Sequence, residues 1–169
     1  MSIRIGYSRN AARRIINDLK IKEPPVSVNQ IAKHLKLEVW EYDKLPDKIS
    51  ALLIYEKKRI IINPNHAVTR KRFSIAHEIG HFALGHTHDI PEQDDSDMDF
   101  IISSHLRKQY SGEQESEASE FAAELLMPFE MLKIYYPAKK DRPSDLAELF
   151  NVSEEAMWIR LCKQKMIKY

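Results

Sequence analysis

The residues of this chain that could do chemistry are concentrated in one short stretch, His77-Glu78-Ile79-Gly80-His81. An α-helix turns once every 3.6 residues, so side chains four positions apart lie on one face, and the two imidazoles can bind a single metal ion. Glu78 lies at the edge of that face, where its carboxylate can accept a proton from a water on the metal. His-Glu-x-x-His on a helix is typical of zinc hydrolases.

The neighbouring residues favour a packed helix at this motif. Ile75, Ile79 and Phe82 recur at helical spacing and form a separate apolar stripe that can cover a core. Glycine costs about 1 kcal/mol relative to alanine inside a helix, so Gly80 predicts the close approach of another backbone or of a substrate. The alternative is a helix whose two histidines are surface groups, or are buried and hydrogen-bonded.

Composition limits the remaining possibilities. The chain has 169 residues, a net charge of +1 and one cysteine, Cys162. A single cysteine cannot form an internal disulfide, and no apolar run is long enough to span a bilayer. We therefore expect a soluble, cytoplasmic protein that does not act on membranes and holds one zinc ion per chain with histidine and carboxylate ligands.

Negative charge gathers between residues 87 and 120, where acidic side chains far outnumber Arg107 and Lys108. The run that holds Asp94, Asp95, Asp97 and Asp99 directly follows the metal-binding helix. Such a run is most often a solvated loop. The functional alternative is a lid, or an electrostatic guide for a basic peptide.

The elements that must position the motif can also be predicted. Helices are expected over residues 8–20 and 27–35, and strands over residues 37–42, 51–55 and 59–62. The last two strands form a hairpin. Together these segments predict an α+β fold in which helices pack on a small, about three-stranded antiparallel sheet, one face of which the His77 helix covers.

A second long helix is predicted to supply the missing ligand. A capping box at Ser111 begins it, and Pro128 follows its end. A catalytic zinc site normally has three protein ligands, so a carboxylate is needed besides the two histidines. The acidic candidates on this helix are Glu113, Glu117, Glu120 and Glu124.

A third histidine is a poorer candidate for that ligand. The metzincin spacing requires glycine at position 84 and histidine at position 87, where this chain has Leu84 and Thr87. His86 and His88 lie near the end of the motif helix, where structural roles are expected for both.

Three segments together resemble the ImmA/IrrE family of zinc metallo-endopeptidases: the motif with Phe73 before it, Ile60-Ile61-Ile62-Asn63-Pro64, and Glu117-Ala118-Ser119-Glu120-Phe121-Ala122-Ala123-Glu124-Leu125-Leu126-Met127-Pro128. The resemblance covers residues 9–130. It implies a zincin-like fold, zinc bound by His77, His81 and Glu117, and Glu78 as general base. It also implies a helix-turn-helix transcriptional repressor as the substrate, whose cleavage derepresses genes of a mobile element or stress response.

Residues 131–169 form the second part of the predicted organisation, after a metallopeptidase domain over residues 1–130. Residues 144–160 read as helix, tight turn, helix, with Asn151 suited to a left-handed conformation and Ser153 as N-cap. Glu154 and Glu155 would bring negative charge to DNA, which disfavours DNA binding. Packing on the protease core or docking of a partner is expected instead.

The sequence therefore predicts a zinc-dependent endopeptidase that takes part in transcription regulation. The alternative is a non-catalytic regulatory or protein-binding module with a zinc site. Glu78 argues against that alternative, because a structural zinc site normally closes with four protein ligands and needs no adjacent base.

Overall fold

The computed structural model describes residues 4–87, 98–107, 110–139 and 142–167. Within these ranges the chain forms eight helices and a three-stranded sheet, an α+β fold as predicted. The helices are α1 (Ile5–Asp18), α2 (Val28–His34), α3 (Val68–Ala83), α4 (Met98–Arg107), α5 (Gly112–Leu126), α6 (Phe129–Lys139), α7 (Pro143–Phe150) and α8 (Glu154–Lys163); the strands are β1 (Glu38–Glu41), β2 (Ala51–Ile54) and β3 (Arg59–Ile62). None of these helices combines the length and apolarity needed to cross a membrane.

The sheet is mixed, with the strand order β1-β3-β2. Strands β2 and β3 form the predicted antiparallel hairpin, but β1 pairs with β3 in parallel, so the prediction of a wholly antiparallel sheet is wrong for β1. The reason is the connection over residues 42–50, which is long enough to cross two strand spacings of about 4.8 Å. It carries the chain past the place that β3 later occupies between the other two strands.

The two faces of the sheet contribute to different apolar clusters. Leu53, Ile60 and Ile62 join the main core with α1, α3 and α5. On the other face Ile54 and Ile61 pack with Ile102 of α4. The sheet thus supports the motif helix α3 from one side.

Helix α3 is held between the sheet and α5. Its predicted apolar stripe is present, since Ile75 and Ile79 are buried and Phe82 packs against the core. A Cβ placed on Gly80 would lie 3.1 Å from the carbonyl oxygen of Ala118 in α5. The close approach predicted for Gly80 is thereby confirmed, and the approaching group is another backbone.

Helix α4 was not predicted. It occupies part of the acidic stretch that the sequence favours as a solvated loop, and its apolar residues Met98, Ile101 and Ile102 pack under the sheet. The helical spacing of these three residues is the feature of the sequence from which α4 could have been predicted. The acidic run over residues 89–97 and His88 lie outside the described residues.

The C-terminal helices share the main core. Leu146, Phe150, Met157 and Leu161 are buried in the same cluster as α3 and α5. Arg72 of α3 donates hydrogen bonds to backbone carbonyls of Val26 and Asn151, at 2.9 Å each. The segment therefore packs on the main core of the chain; the division at residue 130 stays a prediction.

The turn between α7 and α8 has the predicted backbone. Asn151 adopts the left-handed conformation, and the Ser153 side chain accepts a hydrogen bond from the backbone of Ala156 as N-cap of α8. Glu154 and Glu155, at the start of α8, are exposed.

Candidate metal centre

Helix α3 presents both motif histidines to one point. The Nε2 atoms of His77 and His81 are 3.1 Å apart, and His81 is buried. The fixed four-residue spacing of the helix brings the rings together, and packing of Gly80 against Ala118 holds this face of α3 against α5.

Glu115 of α5 completes the group. Its Oε2 lies 3.0 Å from His77 Nε2, and its Oε1 lies 3.6 Å from His81 Nε2. Among the described residues these three side chains offer ligand atoms that all lie within 4.8 Å of one another. Zinc binds nitrogen and oxygen at about 2.0–2.2 Å in tetrahedral sites, which separates the ligand atoms by roughly 3.2–3.6 Å. The set therefore fits a zinc ion in both chemistry and size.

Glu78 lies beside this group and is buried. Burial raises the pKa of its carboxyl to about 7; nearby His77 and a hydrogen bond from the backbone of Leu53 act in the opposite direction, and the charge of Glu115 adds to the rise. A carboxyl group with a pKa near neutrality can both accept and return a proton at physiological pH. The sequence-predicted base thus sits in an environment that suits proton transfer.

Glu117 faces away from the paired Nε2 atoms of the two motif histidines. One carboxylate oxygen accepts a hydrogen bond from the backbone N–H of Arg4 at 3.0 Å, and the other lies 3.1 Å from Nε2 of His86. His86 Nδ1 in turn lies 2.9 Å from His81 Nδ1. The structure therefore connects Glu117 to the candidate centre through His86 and does not bring its carboxylate to the His77–His81 pair.

The pKa values of these two groups follow from their surroundings. Burial acts to raise the pKa of Glu117, but hydrogen bonds from the backbone and side chain of Arg4 and from His86 outweigh it, and the net shift is downward. Burial lowers the pKa of His86, against the attraction of Glu117.

The other two acidic candidates on the same face of α5 form ion pairs. Glu120 binds Arg9 at 2.9 Å and also pairs with Lys163, while Glu124 binds Arg13 at 2.9 Å and also pairs with buried Arg160. These pairs join α1, α5 and α8. Neither carboxylate belongs to the His77–His81 group.

Sequence reasoning did not consider Glu115. The feature that could have identified Glu115 is the register of α5: Ala118 packs against Gly80 of α3, and Glu115 lies one turn before Ala118. Glu117, Glu120 and Glu124 recur on the neighbouring face, toward basic residues of α1 and α8.

Two further polar side chains adjoin the histidines. Ser119 Oγ lies 3.4 Å from His77 Nδ1. The ring of Tyr110 stacks on His81 with centroids 3.6 Å apart. Burial, followed by the negative charges of Glu78 and Glu115, raises the pKa of Tyr110, so its hydroxyl keeps its proton and remains a potential hydrogen-bond donor.

Comparisons with known proteins agree with this architecture. The family model for the IrrE N-terminal-like domain of Peptidase M78 matches residues 32–161, which confirms the family resemblance inferred from the sequence. A solved structure of a Mycobacterium tuberculosis transcriptional regulator is similar, with a TM-score of 0.66 and 18% identity over 92% of this chain and 46% of that one. This chain thus spans less than half of the regulator's chain, and the likeness concerns the fold alone. No curated protein matches in sequence.

Proposed function

The chain belongs to the Peptidase M78 family of IrrE N-terminal-like domains, and we propose that it is a zinc-dependent endopeptidase. The observation that carries the proposal is the convergence of His77, His81 and Glu115 ligand atoms within 4.8 Å, beside the buried carboxyl of Glu78. A ligand set of two histidines and one carboxylate leaves a fourth position open, as catalytic zinc sites do and structural sites normally do not.

The third ligand is proposed to be Glu115, in place of the Glu117 inferred from family resemblance. The distances of 3.0 and 3.6 Å from Glu115 to the two histidines support it. The partners of Glu117 support it as well, since that carboxylate already has Arg4 and His86 as hydrogen-bond donors.

The chain's own residues supply the acid–base chemistry. A zinc ion bound here would acidify a water molecule and polarise the carbonyl of the scissile peptide bond. Glu78 accepts the proton of the attacking water and passes it to the amine that leaves. The buried position of Glu78, next in sequence to His77, suits a group that must take both steps. No serine or cysteine nucleophile takes part.

The substrate is proposed to be a helix-turn-helix transcriptional repressor, cut at one exposed position in the cytoplasm, where such a repressor acts. The family resemblance motivates this step, together with the acidic residues 89–99, which follow the motif helix in sequence and would attract a basic DNA-binding protein. Such attraction is screened over about 8 Å at physiological ionic strength. Cleavage should therefore slow as salt rises.

Metal analysis and cleavage together test the peptidase proposal. Purified protein should contain one zinc per chain, and the Glu78→Gln variant should keep that zinc while cleavage falls on the order of 10²-fold or more. Glu130→Gln is the matched control, because Glu130 is an exposed residue of α6 whose described partner is Lys133. Zinc binding with no cleavage of any repressor encoded nearby, or of general peptide substrates, would favour a non-catalytic module.

Efficient cleavage of unrelated unfolded proteins, with the repressor left intact, would contradict only the substrate. It would indicate a general peptidase with the same zinc site.

A further inference from the structure

An uninterrupted line of hydrogen-bonding groups runs from the N-cap residue of α1 to the candidate metal centre. It begins at the backbone N–H of Arg4, passes through the carboxylate of Glu117 and the ring of His86, and ends at His81 Nδ1. Glu117, His86 and His81 are all buried. The contact distances of 3.0, 3.1 and 2.9 Å are those of ordinary hydrogen bonds.

The positions of the protons on this line follow from what each group can do. The backbone N–H of Arg4 can only donate, so the Glu117 carboxylate is the acceptor of that hydrogen bond, and an ionised carboxylate has acceptor sites only. His86 Nε2 must then carry the hydrogen that it donates to Glu117. A neutral imidazole has one N–H, so His86 Nδ1 is left as an acceptor.

The same logic fixes the proton on His81. Because His86 Nδ1 accepts, His81 Nδ1 must carry the hydrogen of their contact. The lone pair of neutral His81 is then on Nε2, the atom that lies 3.1 Å from His77 Nε2 and 3.6 Å from Glu115 Oε1. That is the tautomer a metal ligand binding through Nε2 requires.

We propose that His86 and Glu117 are positioning residues that hold His81 as its Nδ1–H tautomer, with Nε2 directed at the metal site. This inference rests on the proposed zinc site and deepens it. It assigns a task to Glu117 other than ligation, and it gives His86 a task that the spacing of the motif alone did not indicate. Outer partners of this kind fix ring orientation and raise the basicity of a histidine ligand.

A buried polar cluster with a purely structural role would also require these contacts. The stability of variants therefore does not distinguish a positioning role of His86 and Glu117 from a structural one. The direct readout is the tautomer of His81, observed by nitrogen-15 NMR of the metal-free wild-type protein at neutral pH. We expect the hydrogen on Nδ1. A His81 that carries its hydrogen on Nε2 would overturn the proposal whether or not the protein cleaves peptides.

Zinc affinity of variants gives the second readout, measured by competition with a chelator of known affinity. His86→Phe removes the acceptor at similar bulk, and we expect zinc binding to weaken 10- to 100-fold. His86→Gln should recover part of the loss, because its amide oxygen can accept from His81 while its NH₂ group donates to Glu117. His34→Phe, at an exposed position of α2, is the control and should bind zinc as wild type does.

Circular dichroism and thermal unfolding identify variants that do not fold, and the comparison is made among those that do. If His86→Phe fails to fold, Glu117→Gln decides the proposal through the His81 tautomer, because an amide NH₂ that donates to His86 Nε2 would reverse both hydrogen bonds and leave the hydrogen of His81 on Nε2. Wild-type zinc affinity and wild-type tautomer in folded His86→Phe or folded Glu117→Gln would overturn the proposal. Absence of zinc binding by the wild type would instead contradict the proposed function, while the tautomer measurement still tests the hydrogen-bonded line.

Discussion

Gly80 lies so close to Ala118 that a Cβ on the glycine would come within 3.1 Å of the Ala118 carbonyl oxygen and 3.2 Å of its Cα. This contact joins the helix that carries His77 and His81 to the helix that carries Glu115. The separation of the proposed ligands on these two helices therefore depends on the absence of a side chain at position 80.

Gly80→Ala should weaken both zinc binding and folding. Helix propensity gains about 1 kcal/mol, but the groups that the new methyl meets are largely backbone and must give way, and overpacking costs typically 1–3 kcal/mol. We expect a net loss of about 1 kcal/mol in the free energy of unfolding. Zinc affinity should fall at least several-fold, because α3 and α5 must move apart.

Gly6→Ala is the matched control for this prediction. Gly6 also lies in a helix, α1, but a Cβ there meets nothing within 4 Å. It should raise stability by up to about 1 kcal/mol and leave zinc binding unchanged. Urea unfolding and chelator competition measure the two quantities, and equal zinc affinity in both variants would contradict the role given to the Gly80 contact.

Replacement of single glutamates on α5 should distinguish the proposed metal ligand from the neighbouring glutamates. Glu115→Gln should reduce zinc binding most, because it replaces the proposed anionic ligand of a three-residue site with a neutral amide. Glu117→Gln should have a smaller effect, through His86. Glu113→Gln, two residues before Glu115, should have almost none. Zinc titration of the three proteins checks this order of affinities. A larger loss of zinc affinity for Glu117→Gln than for Glu115→Gln would indicate that Glu117, the residue inferred from the sequence, is the third ligand.

The contrast between Glu115 and Glu117 shows which part of the candidate site could be predicted from the sequence. The motif predicted that the side chains of His77 and His81 lie together, because the four-residue spacing on one helix determines their relative position locally. The α5 carboxylate could not be fixed in this way, since its selection depends on how α5 is rotated against α3. That rotation depends on the packing of Gly80 on Ala118 and on the partners that α1 and α8 offer to the other face of α5, which are long-range contacts.

The sheet illustrates the same limit. The hairpin over residues 51–62 could be predicted, because its two apolar runs are close in sequence. The parallel pairing of β1 depends on where a nine-residue connection returns, and no local pattern determines it. Similarly, the apolar residues of α4 were visible, but they stand within an acidic stretch whose composition favours a solvated loop.

Glu124 and Arg160 form a buried ion pair, whose loss should be costly for folding. Glu124→Ala leaves the Arg160 guanidinium buried without its carboxylate, and we expect the free energy of unfolding to fall by about 3–5 kcal/mol. Arg160→Met should cost less, because Glu124 keeps Arg13 and the backbone N–H of Phe129 as partners. Denaturant unfolding tests the order. Zinc content of the folded fraction should stay at one per chain in both variants.

The ion pairs of Glu120 should make folding sensitive to acid. Burial acts to raise the pKa of Glu120, but hydrogen bonds from Lys163 and Arg9 outweigh it and lower the net value below the ordinary range. A carboxyl group whose folded pKa is depressed contributes stability that is complete above its unfolded pKa, about 4.3 for glutamate. That contribution is lost as the pH falls through the folded value.

Glu120→Gln should therefore be less stable than wild type at neutral pH, and the difference should shrink as the pH falls below about 4. Glu148→Gln, at an exposed position of α7, is the control, and it should change stability by no more than about 0.5 kcal/mol. Urea unfolding of the three proteins between neutral and acidic pH measures the difference directly. Because Glu120 faces Arg9 of α1 and Lys163 of α8, a difference that stays constant with pH would mean that its charge contributes nothing to joining these helices.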